Sequence, residues 1–470
     1  MSAGRTGFRG GVIYPATMST IRTSLSAKRM AKALTRVHVA QQQVAERYLG
    51  DSGARQPVHT VYGGAHLFSS DTARKLGELA VKAFDTYAPE PAGFAAALGI
   101  EPHLARTVHE RVRAKLEREA VEDFRIDFED GYGNRSDEEE DGHSASAAQA
   151  VAAGHAAGTL PPFIGIRIKP LSRELAARSI RTLDIFVSEL VGATGGVLPA
   201  NFVVTLPKIT HPDDVSTLVW VLEHLEHQLE LADGSLKLEI MVETTHCLID
   251  PRGRIMLPQL LDEAAGRMVG AHFGTYDYTA GCDITAAHQR MSHPACDFAK
   301  HLMKVSFAQT GVALSDGATN IMPVGPHKGP LSDAQKAENH AAVIAAWKLH
   351  ASDVRHSLVT GFYQGWDLHP AQLPTRYGAV YGFFLEGLAA ASQRLKNFID
   401  KAAQATLVGD VFDDAATGQG LLNYFLRGIS CGAVRDEEAL ATGLSLEEIR
   451  GRSFVKILEG RRQAAAAAAE

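Results

Sequence analysis

Glu243 and Asp277 each stand at or just past the end of a short apolar run, LKLEIMVE (236–243) and RMVGAHFG (267–274). A carboxylate at the C-terminal end of a buried strand is where parallel α/β barrels keep their chemistry. Two such groups aimed at one point repel by roughly 4 kcal/mol at about 4 Å and an effective dielectric of about 20. A shared hard divalent cation relieves that repulsion, and Mg²⁺ or Mn²⁺ favours oxygen ligands. The pair therefore points to a metal-dependent enzyme with Glu243 and Asp277 as ligands.

Other candidates fall at equivalent places. FRIDFEDG (124–131) supplies Asp127, Glu129 and Asp130. Inside a buried strand Asp127 needs a cationic partner and suits a structural role, whereas Glu129 and Asp130 at the strand end suit the surroundings of a site. GIRIKP puts Arg167 and Lys169 at the next strand end, where an arginine could hold a substrate carboxylate or steady the oxygen of an enolate. TLPKI offers Lys208 in the same way. In GAHFGTYDYT the glycines Gly270 and Gly274 permit close backbone approach, and the turn through Gly274 and Thr275 presents N–H groups that can grip a carboxylate. His288, His293 and His301 are spaced by five and eight, which matches no metal-ligand pattern, and the acidic run 137–141 reads as a solvated loop and helix start. Walker A and helix-opening GxGxxG motifs are absent from the sequence.

The elements that must position these residues are legible as alternation. Apolar strand candidates begin at 56–64 and continue at 124–131, 162–170, 201–209, 236–243, 267–274, 312–325 and 354–362, separated by helix-forming stretches such as 173–192, 215–231 and 333–351. Eight strand slots alternating with amphipathic helices predict a closed (β/α)₈ TIM barrel over 56–375, with an open doubly wound sheet as the competing arrangement. Residues 1–55 form an N-terminal basic helical segment. Beyond 375 the strand signal stops, and 376–470 reads as a helical extension with helices over 377–405, 418–429 and 444–462, the last capped by Ser445.

Composition sets the remaining bounds. Of 470 residues, 45% are hydrophobic and 21% charged, ordinary for a soluble globular chain, and the net charge of −7 gives no footing for a nucleic-acid partner. The four cysteines form no CxxC pair, and apolar runs are too short to span a bilayer. The first 45 residues lack Asp and Glu, as mitochondrial transit peptides do. The simpler reading is a basic helix over 27–50 in a cytoplasmic protein.

Taken in order, DFED, IRI, LPK, VET, FGTYDYT and GWDLHPAQL (365–373) resemble the HpcH/HpaI aldolase and citrate lyase β-chain-like family, within the superfamily of malate synthases and phosphoenolpyruvate/pyruvate barrels. The resemblance spans about residues 57 to 430. It implies that Glu243 and Asp277 bind Mg²⁺, that the metal chelates a 2-oxo acid, and that Arg167 steadies the oxyanion with Asp130 orienting metal-bound water. It also implies a homo-oligomer and leaves a coenzyme A thioester open as a substrate. VGDVFDDAATGQGLLNYF (408–425) resembles the segment that supplies the family's catalytic aspartate, Asp414 under the malate synthase match or Asp413 under the citrate lyase match. HPAQ, with His369 and Gln372, is similar to a structural turn after the eighth strand. The chain departs from the family in two places: DGYGNR has no aldolase-type histidine, and VETTHC replaces a glycine-bearing ETxxG.

The expectation is a Mg²⁺-dependent carbon–carbon lyase or aldolase acting on a 2-oxo-acid adduct or a hydroxyacyl thioester. The alternatives are a malate-synthase-like acyltransferase and a non-catalytic scaffold subunit.

Overall fold

The computed structural model describes residues 24–50, 53–400, 406–408, 411–413 and 415–467. The chain divides into two units, Met1–Leu49 and Gly50–Glu470. The first contains the helix Ala27–Arg47, whose N-cap Ser26 accepts the Arg29 N–H.

The second unit is built on eight strands: β1 His59–Gly64, β2 Asp123–Asp127, β3 Phe163–Arg167, β4 Phe202–Leu206, β5 Lys237–Val242, β6 Met268–Phe273, β7 Ala313–Ala318 and β8 Gln364–Asp367. All pair in parallel and in chain order, and β8 returns to β1 to close the barrel. The expected barrel is therefore observed, and the open sheet is not.

Alternation along the strands decides what faces where. Phe124 and Ile126, Val204 and Leu206, and Leu238, Ile240 and Val242 are buried on one side, and Asp123, Arg125, Asp127, Thr205 and Glu239 lie between them in sequence on the other. Arg125 on β2 donates to Glu239 on β5 at 2.6 and 2.8 Å. Those strands are not neighbours, so the bond crosses the barrel interior. The apolar rows thus pack outward under the helices, and the barrel is filled with paired polar groups, which a dry interior tolerates only when they are hydrogen-bonded.

Three expectations need correction. The stretch VRHSLVTGF is not the eighth strand but the end of a long helix, Asp333–Val359. Trp347, Ala351, Val354 and Leu358 recur every three or four residues and are all buried, so helical periodicity overrides the local β-branched content. Gly361, at φ +82°, breaks the chain before the short β8. In the extension, Leu373–Asp400 covers the described part of the helix expected over 377–405, with 401–405 outside the described residues, and Ala415–Ser430 covers the one expected over 418–429, but 444–462 is two helices, Leu446–Arg450 and Phe454–Ala467, separated at Arg452 with φ +57°. Ser445 does cap the first, in a reciprocal box with Glu448. Where no strand was expected, Thr406–Val408 and Val411–Asp413 pair antiparallel as β9 and β10; TLV and VFD have the β-branched and aromatic content that favours it.

Candidate active site at the barrel mouth

The site rises in layers along the barrel axis. At its base Arg125 is held between Asp123 and Glu239, Thr60 donates to Asp123 at 2.8 Å, and Thr205 donates to Glu239. His272 on β6 lies 3.1 Å from Glu239 through Nε2, and its Nδ1 accepts the Trp366 indole N–H at 3.1 Å. An accepting Nδ1 leaves the proton on Nε2, facing the carboxylate. Tyr62 packs on Trp366 at 4.4 Å between ring centroids with the planes tilted by 37°, and its hydroxyl is 3.4 Å from the same His272 nitrogen. These two rings form the floor of the mouth.

Arg167 lies on that floor, its guanidinium 4.9 Å from the Tyr62 ring centroid and 5.9 Å from that of Trp366. β2 and β3 pair Asp127 opposite Arg167. That register produces a two-pronged bond, Nε to Oδ1 at 2.7 Å and Nη2 to Oδ2 at 2.6 Å. Asp127 also accepts the N–H groups of Glu129 and Gly131, so it is the structural carboxylate expected. The third nitrogen of Arg167, Nη1, faces Glu129 at 3.2 Å and Asp130 at 3.9 Å. Lys169 does not join the group: its ammonium bonds the Phe128 carbonyl and pairs at 2.8 Å with Glu140, which is buried rather than solvated.

Lys208 ties the rest together. It holds φ at +49°, a strained value for a residue with a side chain, and this turns its N–H onto Glu243 Oε1 at 2.8 Å. Its ammonium bonds Glu129, approaches Asp130 at 3.1 Å and stands 3.7 Å from Asp277. Burial pushes the Glu129 carboxyl up, while hydrogen bonds from Glu129 and Lys208 outweigh burial and draw Asp130 down. The ordinary lysine value is raised as well: burial opposes the charge, but Glu243 and Glu129 prevail.

Glu243 is 2% exposed. Burial, reinforced by the negative charge of Asp277, pushes it up to about 7 against the pull of Lys208 and Arg167. Asp277 lies in the first turn of the helix Thr275–Gly281 that follows β6, with its side chain 43% exposed. The residues singled out as Glu243, Asp277, Arg167, Lys208, Glu129 and Asp130 are thus brought to one mouth. Gly274 belongs there for a specific reason: an added Cβ would meet Glu243 Cβ and Oε2. Thr275 is buried with its hydroxyl turned to Gly317 on β7, where a Cβ would stand only 2.1 Å away. Asp414 lies outside the described residues, and of Asp413 only its place at the end of β10 is described.

Among the described residues no three His, Cys, Asp or Glu side chains are gathered to hold a metal ion. Gln372 accepts from the Leu368 and His369 N–H groups and donates to the Thr319 carbonyl, so HPAQ is a structural turn. Tyr62, Trp366 and His272 were not among the expected site residues. Their signal lay in position, since VYGG and GWD each place a large ring one or two residues before a strand end.

A family model described as "Domain of unknown function (DUF6986)" matches residues 37–457. No curated protein matches the sequence. Solved structures of the same fold include a citrate lyase from Burkholderia xenovorans LB400, at 18% identity over 82% of this chain and 96% of that one, with a TM-score of 0.52. Two others are the Haloferax volcanii malate synthase in a magnesium/glyoxylate complex (14%, 84% and 97%, 0.45) and a Mycobacterium tuberculosis CitE in complex with magnesium, acetoacetate and coenzyme A (15%, 81% and 99%, 0.45). The neighbours are those the motifs resemble, and at these identities the likeness is one of fold.

Proposed function

This chain belongs to the family described as a domain of unknown function, DUF6986, and for it we propose a Mg²⁺-dependent carbon–carbon lyase or aldolase acting on a 2-oxo-acid adduct or a β-hydroxyacyl thioester. The observation that supports it most is the state of Glu243: a buried carboxyl with a pKa near 7, beside a second carboxylate and bonded by one backbone N–H. Such a group is costly unless a cation meets it. Glu243 and Asp277 supply two hard oxygen donors, and Mg²⁺ ordinarily keeps several waters or substrate oxygens, so two protein carboxylates suffice. Bound there, the ion would act as a Lewis acid on the carbonyl of a 2-oxo acid.

The chain's own residues supply the rest. Arg167 is fixed by Asp127 on one edge and by the Tyr62 and Trp366 rings beneath. Its Nη1 corner is the one left toward the mouth, where it would meet the oxygen that gains charge as the carbon–carbon bond breaks. Glu129 now faces that corner, and its raised pKa lets it shed charge when an anionic substrate enters. Lys208 would balance Asp277 and Asp130, and Asp130 would order water near the ion. The main chain at Gly274 and Thr275 would contact a substrate carboxylate. Asp414 or Asp413 would take or return the proton.

The test is a screen of oxo acids and acyl thioesters for cleavage with and without Mg²⁺, run beside Asp277→Asn. Cleavage that needs Mg²⁺ and is lost in the variant supports the reading. Full activity in the presence of a chelator sinks it, and turnover only when acetyl-CoA and glyoxylate are supplied together reassigns the chain as an acyltransferase.

A further inference from the structure

Arg167 is held by a two-pronged bond and by a floor, and the two fix different things. The bond pins the edge of the guanidinium that carries Nε and Nη2, at 2.7 and 2.6 Å from the Asp127 oxygens. Two points fix a line, and the plane can still tilt about it. Nη1 is the nitrogen off that line, so it moves most when the plane tilts. It is also the nitrogen 3.2 Å from Glu129, on the side of the mouth. The floor sets the tilt, because the guanidinium rests 4.9 Å from the Tyr62 ring centroid and 5.9 Å from that of Trp366.

The floor itself hangs on one side-chain hydrogen bond. Arg376 holds the main-chain carbonyl of Trp366 at 3.1 Å, and Tyr62 packs on the indole, but among the described residues the indole N–H has His272 Nδ1 as its partner, at 3.1 Å. His272 stands on β6 and Trp366 on β8. Between them Asp316 of β7 bonds Lys300 and Ser357 on the outer helices, so Ser315 and Gly317 face the interior and leave room for the indole bond to pass. On its other side His272 meets Glu239 through Nε2, and Arg125 grips that carboxylate at 2.6 and 2.8 Å. The imidazole is buried, whereas Trp366 is half-buried. Deprived of its acceptor, the indole would keep an unpaired N–H in a dry interior, and the ring can escape that cost by turning toward the mouth.

We propose that His272 is a positioning residue for Arg167: it holds the Trp366 indole, the indole and Tyr62 set the tilt of the guanidinium, and the tilt places Nη1. His272 has this part only if Arg167 has the one given to it above. A displacement of about 1 Å at a reacting group can cost about 10²-fold in rate. A merely structural His272 would act instead through Glu239 and the interior cluster, so the two roles lie on different nitrogens of one ring.

Two half-replacements in the full chain separate them. His272→Asn sets an acceptor oxygen where Nδ1 stands and abandons Glu239, whereas His272→Gln sets an amide N–H where Nε2 stands and abandons the indole. With the substrate found in the screen, His272→Gln should lose about 10²-fold in kcat with KM changed less than about threefold, while His272→Asn keeps kcat within about threefold. Trp366→Phe, which removes the N–H and leaves His272 untouched, should show the loss of His272→Gln, and in its background the Asn and Gln variants should have equal kcat. The Nε–H resonance of Arg167, identified by its absence from Arg167→Lys, should move in His272→Gln and stay in His272→Asn, whether or not any substrate turns over. An Asn variant slower than the Gln variant, a difference between them that survives Trp366→Phe, or an Arg167 resonance unmoved in His272→Gln overturns the proposal. If Mg²⁺ supports no cleavage at all, it is the function proposed above that fails, and the resonance still decides the role of His272.

Discussion

Gly274 leaves the space that the Glu243 carboxylate fills: a Cβ built at Gly274 would stand 2.5 Å from both Cβ and Oε2 of Glu243. β5 and β6 are neighbours, and the Gly274 N–H continues their ladder by donating to the Val242 carbonyl. Rotation of the Glu243 side chain can clear Oε2, but its Cβ is fixed to the β5 backbone, so the two strand ends must also shift apart and strain that bond.

Gly274→Ala should therefore keep the barrel but displace the carboxylate. Overpacking of this kind costs about 1–3 kcal/mol. We expect Mg²⁺ affinity to fall at least tenfold by calorimetry while circular dichroism stays that of the wild type. Unchanged affinity would show that Glu243 is not held where Gly274 permits it.

The elevated pKa of Glu243 gives a pH signature with a definite sign. A carboxyl whose folded pKa of about 7 exceeds its ordinary 4.5 favours the fold while protonated. That stabilisation is complete below the lower value and is lost as pH rises through the upper one. Glu243→Gln keeps an acceptor for the Lys208 N–H and never ionises. Without divalent cation it should be more stable than wild type by on the order of 2–3 kcal/mol at about pH 8, and equal to it at about pH 4. Urea unfolding at both pH values reads this directly. Mg²⁺ should invert the ranking at high pH by binding wild type alone, and equal stabilities at high pH without metal would remove the argument for a cation at Glu243.

The sequence made the barrel and most of its mouth legible because strand ends advertise themselves. Charged residues after apolar runs, at Glu243, Arg167, Lys208 and Asp130, are conspicuous, and parallel strands all open on the same side. What sequence alone missed depends on partners far apart in the chain. Tyr62 and Trp366 are ordinary aromatic strand residues until closure of β8 on β1 packs them beneath Arg167. The eighth strand was misplaced because VRHSLV has β-branched residues, yet its buried faces at Val354 and Leu358 continue a helix already anchored by Trp347. Thr275 was expected to offer its backbone N–H, and nothing in its sequence neighbourhood told that its hydroxyl would point at Gly317 on β7.

The interior cluster under the site should behave as a unit. Arg125 separates Asp123 from Glu239, and all three are buried. Arg125→Met would leave two carboxyls facing each other in a dry barrel and should cost about 3–5 kcal/mol, since removing one partner orphans a buried charge. Adding Asp123→Asn and Glu239→Gln should recover part of the loss. A melting point for Arg125→Met within a degree or so of wild type would mean that water or protonation already relieves the cluster.

Arg167 separates position from charge. Arg167→Lys keeps a cation near Asp127 but cannot reproduce the fork that bonds both carboxylate oxygens, nor set a guanidinium over the Tyr62 ring. Arg167→Ala removes the cation and leaves Asp127 buried without its partner, which should cost about 3–5 kcal/mol. If Nη1 meets the developing oxyanion, the lysine variant should lose about 10²–10³-fold in kcat, as removal of one placed donor does, with a smaller change in KM and a melting point above that of the alanine variant. Cleavage of the substrate found in the screen, followed beside thermal unfolding, measures both. A lysine variant with undiminished kcat would take the guanidinium out of the reaction and leave it the structural partner of Asp127.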